Sequence, residues 1–231
     1  MVKRLKNQTG RYVKRYVNYV VMRYNNSNSL YYFKKRAGVL MPQEKLKTLE
    51  ELQEVCVKEN RIFEGRILNL RSDDVRTPSG HIAKREVAEH KSAVGMLAVT
   101  NRRTILLVRQ YRYAVNEIML EVCAGLIEKG EDPAQAAERE MQEELGVKAK
   151  TLQRIGEFYA SPGFCTEIFT LFIASDLEES SLPQDEDENV SVIEVSFDDI
   201  PLMIREGKIR DSKTFAALSW LMAKEGIRID P

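Results

Sequence analysis

The chain has 231 residues, of which 43% are hydrophobic and 30% charged, a composition typical of a globular domain. No run approaches the roughly 18 to 20 apolar residues that a membrane-spanning helix needs, so the sequence does not predict a protein with transmembrane helices. The three cysteines stand at spacings that suit neither a zinc site nor a disulfide framework, and we therefore expect a protein of the reducing cytoplasm.

The formal net charge of zero conceals a segregation of the two signs along the chain. Residues 1–40 contain ten Lys or Arg, no Asp or Glu, and six of the nine tyrosines. The composition changes at Met41, after which 25 basic and 35 acidic residues give a balance of −10. Four interpretations of this basic, tyrosine-rich extension stay open: an arm that binds RNA or acidic surfaces, a targeting peptide, a disordered tail, and a segment that is not native because Met41 is the true start.

Residues 41–59 predict a short amphipathic helix, because apolar side chains recur there every three residues. Residues 61–75 and 82–90 resemble strands, and Pro78 and Gly80 between them indicate a hairpin turn. Apolar segments typical of buried strands then follow at 92–100, 104–112 and 118–128.

Residues 133–145 carry the start and stop signals of a helix. Asp132 is a favourable N-cap, Pro133 fits the first helical position, and Gln135 stands three residues after the cap. Gly146 is a natural C-terminal stop. Further strands and two C-terminal helices follow. This order predicts an α+β domain over residues 60–231, with mixed β-sheets sandwiched between helices as α/β/α layers.

Three carboxylates lie within five positions of this helix, at Glu140, Glu143 and Glu144. On an α-helix they share one face, beside an apolar face formed by Ala134, Ala137, Met141 and Leu145. Charge alone is compatible with an ordinary solvated helix face. A site for divalent cations is the second interpretation.

The surrounding residues match a longer pattern at every defining position. They are Gly125, Glu131, Arg139, Glu140, Glu143, Glu144 and Gly146, with hydrophobic residues at Met141 and Val147. These 23 residues resemble the Nudix box without a gap. The chain is thereby similar to the Nudix hydrolases, over roughly residues 60 to 225.

The resemblance implies hydrolysis of a nucleoside diphosphate linked to another group, with Mg²⁺ as cofactor and Mn²⁺ as the alternative. It also implies the metal ligands, which are the carbonyl of Ala124 and the carboxylates of Glu140, Glu143 and Glu144. Arg139 is expected to orient a neighbouring glutamate, and Glu131 to have a supporting role.

The substrate is predicted from segments outside the box. Pro162, within YASPGFCTE, and the segments 84–99, 109–115 and 120–132 resemble the ADP-ribose pyrophosphatase branch of the family. That resemblance implies cleavage of ADP-ribose to AMP and ribose 5-phosphate. A pyrophosphatase for another nucleoside diphosphate sugar, such as GDP-mannose, and a nucleotide sensor that does not cleave its ligand are the alternatives.

Five residues are then candidates for substrate binding. They are Arg85, Arg112, Pro162, Gly163 and Glu167. The two arginines could contact the diphosphate or the terminal ribose through paired donors, or could simply form ion pairs at strand edges. Gly163 is expected to allow a tight loop against the ligand.

Residues 183–189 form an acidic segment between predicted strands, and such a run of acidic residues is usually a solvated loop. The family resemblance implies instead that this loop is catalytic. By position, Glu186 is expected to be the general base and Glu188 a further metal ligand. Glu143 and Glu167 are the alternative bases. His81 and His90 are expected to be structural.

The family resemblance also implies a homodimer, in which N-terminal strands contribute to the partner's site. We expect residues 60–90 at that interface. A small-molecule nucleotide sugar is the expected ligand, and nucleic acid would be bound only through residues 1–40.

Overall fold

The computed structural model describes residues 48–184 and 189–229 with their side chains, so the predicted basic extension lies outside the fully described residues. Before residue 48 only backbone strands are described. They are β1 (Leu5–Lys6), β2 (Tyr12–Val13), β3 (Val20–Tyr24), β4 (Leu30–Arg36), β5 (Val39–Leu40) and β6 (Glu44–Lys45).

The chain divides into two compact units, and the first contains residues 1–58 and 74–83. The predicted helix over 41–59 is wrong in most of its length, because α1 covers only Leu49–Leu52 and β7 covers Val55–Lys58. The sequence around β7, VCVK, is β-branched at alternate positions, and Val55 pairs with Arg76 of an antiparallel strand. The predicted hairpin turn is confirmed, with Gly80 at φ +86°.

The second unit contains residues 59–73 and 84–231. Strands β8 (Arg61–Glu64) and β9 (Leu68–Arg76) pair antiparallel, and β9 and β10 (Ile82–His90) contribute residues to both units. A mixed seven-stranded sheet follows. Its strands are β11 (Ala93–Val99), β12 (Thr104–Arg112), β13 (Glu117–Glu121), β14 (Cys123–Leu126), β15 (Val147–Tyr159), β16 (Ile168–Glu179) and β17 (Val190–Ser196).

Strand β11 lies at the centre of this sheet, parallel to β16 and antiparallel to β12 and β14. Three helices of the same unit pack against the sheet: α2 (Pro133–Glu140), α3 (Ile200–Arg205) and α4 (Ser212–Glu225). Along β11, Val94, Met96 and Ala98 point to the α2 side, whereas Leu97 points to the α4 side. The sheet therefore separates two hydrophobic clusters, and the predicted α+β fold with α/β/α layers is confirmed.

The cluster on the α2 side includes Ala137, Met141 and Leu145, as predicted. Ala136 is buried there as well, whereas Ala134, in the first turn, is exposed, contrary to the prediction. Among the described residues, no helix is long and apolar enough to cross a membrane.

Candidate active site

Helix α2 begins as the sequence predicts and ends differently. The Asp132 carboxylate accepts a hydrogen bond from the Ala134 N–H at 2.8 Å, and the Gln135 side chain accepts one from the Asp132 N–H at 3.2 Å. After Glu140 the winding changes to a π-helical turn over Met141–Leu145, which closes when the Gly146 N–H bonds the Met141 carbonyl. The prediction of one regular helix over 133–145 is therefore corrected. Two of the three glutamates lie on a π turn, an element that is frequent at functional sites.

Arg139 is the centre of the acidic cluster. Its Nε and Nη2 bond the two carboxylate oxygens of Glu131 at 3.0 and 3.1 Å, and its Nη1 bonds Glu140 at 2.6 Å and Glu143 at 2.9 Å. A fifth bond joins Nη2 to the Leu126 carbonyl at 3.0 Å. The planar guanidinium can serve all these acceptors because its donors form a fixed fork.

These ion pairs shift the pKa values of the groups that form them. The hydrogen bond to Glu131, followed by that to Glu140, raises the pKa of Arg139 above its ordinary value despite some burial. The same bond from Arg139 lowers the pKa of Glu131. The arginine therefore keeps its charge beside the carboxylates that it bonds, and its expected role of orienting a glutamate for a metal stays a prediction.

Strand β14 brings the backbone of Ala124 and Gly125 against the same carboxylates. The Ala124 N–H donates to Glu144 Oε2 at 3.1 Å. A Cβ atom added to Gly125 would lie 1.9 Å from Glu140 Oε1, so only glycine leaves room for the Glu140 carboxylate in its present position. Glu140 and Glu144 are 6% and 4% exposed, which is unusual for glutamates and requires partners or a cation.

This donor set fits a hard divalent cation. Buried carboxylates converge on a backbone segment whose carbonyls could complete an oxygen coordination sphere. Within residues 48–184 and 189–229, no three acidic, histidine or cysteine side chains converge closely enough to enclose an ion. Glu140 and Glu143 each direct one carboxylate oxygen to Nη1 of Arg139.

A cavity of about 920 Å³ opens beside the cluster within the second unit. Ala124, Arg139 and Glu140 form the wall next to the cluster. The rest of the lining includes Arg112, Glu121, Glu167, Asp211 and Lys213 together with His90 and Phe169. The volume is in the range of small-molecule sites, and the lining combines cations, carboxylates and an aromatic ring.

The structure places the predicted substrate residues unequally. Arg112 and Glu167 line the cavity, whereas Arg85 does not and donates to the Lys84 carbonyl at 2.9 Å. Pro162 and Gly163 are exposed on the loop between β15 and β16. A Cβ at Gly163 would meet nothing within 4 Å and its φ is not left-handed, so the described backbone gives no steric reason for glycine there.

The loop that contains Pro162 is attached to strand β10. Its backbone is joined to Ala88 by hydrogen bonds from Ala88 N–H to the Phe164 carbonyl at 2.7 Å and from Thr166 N–H to the Ala88 carbonyl at 3.0 Å. His90 Nδ1 lies 3.3 Å from Glu167 Oε1. His90 also lines the cavity, where it lies beside Glu167, one of the candidate bases. Nothing near His90 in the sequence indicated this position.

Glu186 and Glu188 lie outside the described residues. The residues that lead to them are attached to the π turn: Leu182 N–H donates to the Gln142 carbonyl at 3.1 Å, and Ser180 Oγ donates to the Gln142 side chain at 2.8 Å. The segment that follows β16 is therefore bonded to the π turn, which carries two of the three glutamates.

The cavity wall also carries a charge cluster of which the sequence analysis named only Arg112. It consists of Arg112, Glu121, Asp211 and Lys213. Burial alone would raise the pKa of Glu121, but the hydrogen bond from Arg112 and the charge of Lys213 outweigh it and lower the pKa to about 2. Besides Arg112, the signal in the sequence was the acidic position in LEVCAGLIE, whereas its second cationic partner, Lys213, stands 92 residues later.

Comparisons with known proteins agree with this geometry. The NUDIX domain family matches residues 89–218, and the nucleoside diphosphate sugar hydrolase N-terminal domain matches residues 54–88. An ADP-ribose pyrophosphatase of Bacillus subtilis is 38% identical over 182 residues, which covers 78% of this chain and 98% of the relative. A methanol dehydrogenase activator of Bacillus methanolicus is 39% identical over 76% of this chain and 96% of the relative.

Two further matches are more distant. A GDP-mannose pyrophosphatase of Salmonella paratyphi B is 37% identical, over 60% of this chain and 77% of the relative. A crystal structure described as an ADP compounds hydrolase shares the fold with a TM-score of 0.68 at 22% identity, over 77% of this chain and 98% of that one. The matched family, the acidic cluster around Arg139 and the fold lead to one conclusion: the chain belongs to the Nudix hydrolase family.

Proposed function

We propose that this Nudix hydrolase cleaves the pyrophosphate bond of ADP-ribose and releases AMP and ribose 5-phosphate, with Mg²⁺ as cofactor and Mn²⁺ as the alternative. The observation that carries the proposal is the cavity beside the Arg139 cluster, whose walls combine buried carboxylates with Arg112 and Lys213. The similarity to an ADP-ribose pyrophosphatase along most of both chains supports the choice of substrate.

Nudix hydrolases generally need a divalent metal. Glu140, Glu143, Glu144 and the carbonyl of Ala124 would hold the ion, with Glu188 as a further ligand. When bound, it would neutralise the diphosphate and make a bound water more acidic. Arg139 bonds Glu140 and Glu143, so its contribution would be to limit the orientations that these two carboxylates can take beside the ion.

The attacking water needs a base, and Glu186 is the first candidate. The attachment of Ser180 and Leu182 to Gln142 supports it, because the loop then starts beside the metal-binding glutamates. Glu167 is the alternative, since it lines the cavity next to His90. Glu143 is the third candidate, although its Oε2 already accepts a hydrogen bond from Arg139.

Arg112 would bind the diphosphate or the terminal ribose, and the exposed loop at Pro162 and Gly163 would close over the ligand. Arg85 would contact substrate only if it reached a site other than this cavity, such as that of a partner subunit. The proposed homodimer has support from exposed apolar side chains near the start of the second unit. These are Ile62, Phe63, Ile67 and Leu68.

The proposed location is the cytoplasm. The cysteines support it, because Cys56 is exposed, Cys123 is buried and Cys165 is partly buried, and no disulfide joins any two of them.

A second substrate class has its own support. The match to a GDP-mannose pyrophosphatase covers 77% of that relative, and the same cavity could accept another nucleoside diphosphate sugar. The two classes differ in the base and the sugar but share the diphosphate. The geometry of the Arg139 cluster therefore favours neither.

The test is product analysis of the full chain with Mg²⁺, with ADP-ribose, GDP-mannose, NADH, diadenosine polyphosphates and dNTPs offered in parallel. Fastest release of AMP from ADP-ribose, lost in Glu144→Gln, is the expected result. Preference for GDP-mannose would overturn the substrate and keep the metal site. Binding of ADP-ribose without cleavage of any compound would overturn the hydrolytic function in favour of a nucleotide sensor.

A further inference from the structure

We propose that Glu121 and Lys213 are positioning residues that hold the guanidinium of Arg112 against the substrate cavity, in the orientation in which it binds the diphosphate. This inference rests on the proposed function. It assigns a role to two charged side chains that nothing in the Nudix box includes.

Arg112 is fixed by a paired contact with Glu121. Its Nε and Nη2 donate to the two oxygens of the Glu121 carboxylate at 2.7 and 2.8 Å. The Glu121 side chain is 3% exposed, whereas that of Arg112 is 41% exposed and lines the cavity. Two of the three guanidinium nitrogens are therefore used on the protein side, and Nη1 takes no part in the pair. Such a contact fixes the plane of the guanidinium as well as its position.

Lys213 holds the carboxylate from its other side. Its Nζ donates to Glu121 Oε2 and, at 2.9 Å, to Asp211 Oδ1. The stem of Lys213 passes Gly95, where a Cβ atom would lie 3.9 Å from Lys213 Cδ, and its ammonium lies 5.7 Å from the ring centre of Phe169. Two cations and two carboxylates thus balance in this cluster, so neither of its two most buried members, Glu121 and Lys213, is left as an unpaired charge.

The cluster is anchored to the N-terminus of helix α4. Asp211 accepts hydrogen bonds from the Thr214 N–H at 2.9 Å and from the Thr214 hydroxyl at 2.6 Å. The Thr214 hydroxyl in turn accepts the Val122 N–H at 2.8 Å. The helix is therefore bonded to the residue that directly follows Glu121, which restricts movement of Glu121 relative to Lys213.

The same short segment connects Arg112 to the metal-binding carboxylates. Three residues after Glu121, the Ala124 N–H bonds Glu144, and Gly125 lies against Glu140. A guanidinium fixed at one end of this segment and carboxylates fixed at the other would contact the same diphosphate, directly and through the metal. Misplacing the guanidinium would weaken substrate binding.

The experiment is a double-mutant cycle on the full chain, with KM and kcat for ADP-ribose measured for Glu121→Gln, Arg112→Ala and both together. Glu121→Gln is expected to raise KM about tenfold, the cost of weakening one charged hydrogen-bonding contact, with kcat changed less than about threefold. In the Arg112→Ala background the same change should cost less than about twofold, because a positioning residue has nothing left to position. Equal effects in the two backgrounds would overturn the proposal.

Lys213 provides a second pair of variants should Glu121→Gln fold poorly. Lys213→Met removes the ammonium and should raise KM, and Lys213→Arg, which keeps the charge, should recover most of the loss. An unchanged KM in Lys213→Met would overturn the role of Lys213. Glu194→Gln is the matched control, because Glu194 pairs with the exposed Arg102 at 2.9 Å and does not line the cavity.

Failure of this inference is distinguishable from failure of the proposed function. Absence of ADP-ribose hydrolysis by the unaltered chain would overturn the proposed reaction. In that case the same cycle is measured on the otherwise unaltered chain as the Kd of ADP-ribose by calorimetry, which needs no turnover. Coupling between Arg112 and Glu121 in Kd would support the positioning role without catalysis, and independent effects or a lack of binding would overturn it.

Discussion

Replacing Gly125 by alanine should impair the chemistry much more than the fold. A Cβ at this position would lie 1.9 Å from the Cδ and Oε1 atoms of Glu140 and 2.4 Å from its Oε2. Gly125 does not have a left-handed φ, so alanine adds no backbone strain. The atoms it meets form the end of a flexible side chain, which can move away.

The size of the displacement follows from these contacts. Ordinary van der Waals separation begins at 3.4 Å, so the Glu140 carboxylate must retreat by about 3.4 − 1.9 = 1.5 Å. A misplacement of roughly 1 Å in a catalytic arrangement can cost about 100-fold in rate, and we expect a loss of kcat of at least that order. Overpacking of a buried site costs about 1–3 kcal/mol, and the lower end applies because the clash is with a movable side chain.

The assay is kcat as a function of Mg²⁺ concentration, together with the free energy of unfolding in urea. Gly163→Ala is a matched control for unfolding only, since its Cβ would meet nothing within 4 Å. The expected result is a large loss of kcat in a protein that still folds, and a higher Mg²⁺ concentration at the half-maximal rate. A Gly125→Ala variant with kcat and Mg²⁺ dependence within twofold of the unaltered chain would refute the contact between Gly125 and Glu140 as the basis of the site.

Three further predictions concern charged groups. Arg139→Lys should lower kcat/KM about 10- to 100-fold, because an ammonium cannot reproduce the paired contact with Glu131 while bonding Glu140. The measurement is steady-state kinetics at saturating Mg²⁺, and an unchanged kcat/KM would contradict this role of Arg139. Glu186→Gln should lose most turnover and still bind ADP-ribose by calorimetry, whereas near-normal turnover would transfer the base to Glu167 or Glu143. The folded pKa of Glu121, about 2, is below its ordinary 4.5, so its stabilisation is present above pH 4.5 and lost as the pH falls towards 2. Urea unfolding across this range should show a loss on the order of 3 kcal/mol that is absent in Glu121→Gln, and identical pH profiles would contradict the ion-pair explanation.

Local signals in the sequence sufficed for the parts of the fold that depend on neighbouring residues. Asp132, Pro133 and Gln135 predicted the start of α2, and the capping bonds are present. The stop at Gly146 is confirmed by its left-handed φ of +66°. The positions of Ala124 and Gly125 beside the glutamates agree with the spacing of the Nudix box.

Features that depend on tertiary context could not be predicted. A π turn differs from an α turn by one residue in its hydrogen bonding, and the apolar periodicity of so short a helix cannot register that difference. The pairing of Glu121 with Lys213 joins residues 92 positions apart, and no local pattern encodes it. The apolar spacing over 41–59 failed for a related reason, since Val55 fits a strand as well as a helix.

The contacts of Arg139 have a consequence for the protein when its cation is scarce. Because the guanidinium donates hydrogen bonds to Glu131, Glu140 and Glu143, withdrawal of the ion leaves each of these carboxylates with a cationic partner, although only part of their charge is neutralised. A chelator should therefore stop turnover without melting the domain, unlike the small zinc proteins whose folding depends on their metal. Fluctuations in the ion supply would then switch the enzyme off reversibly, and its abundance in the cell would stay unchanged.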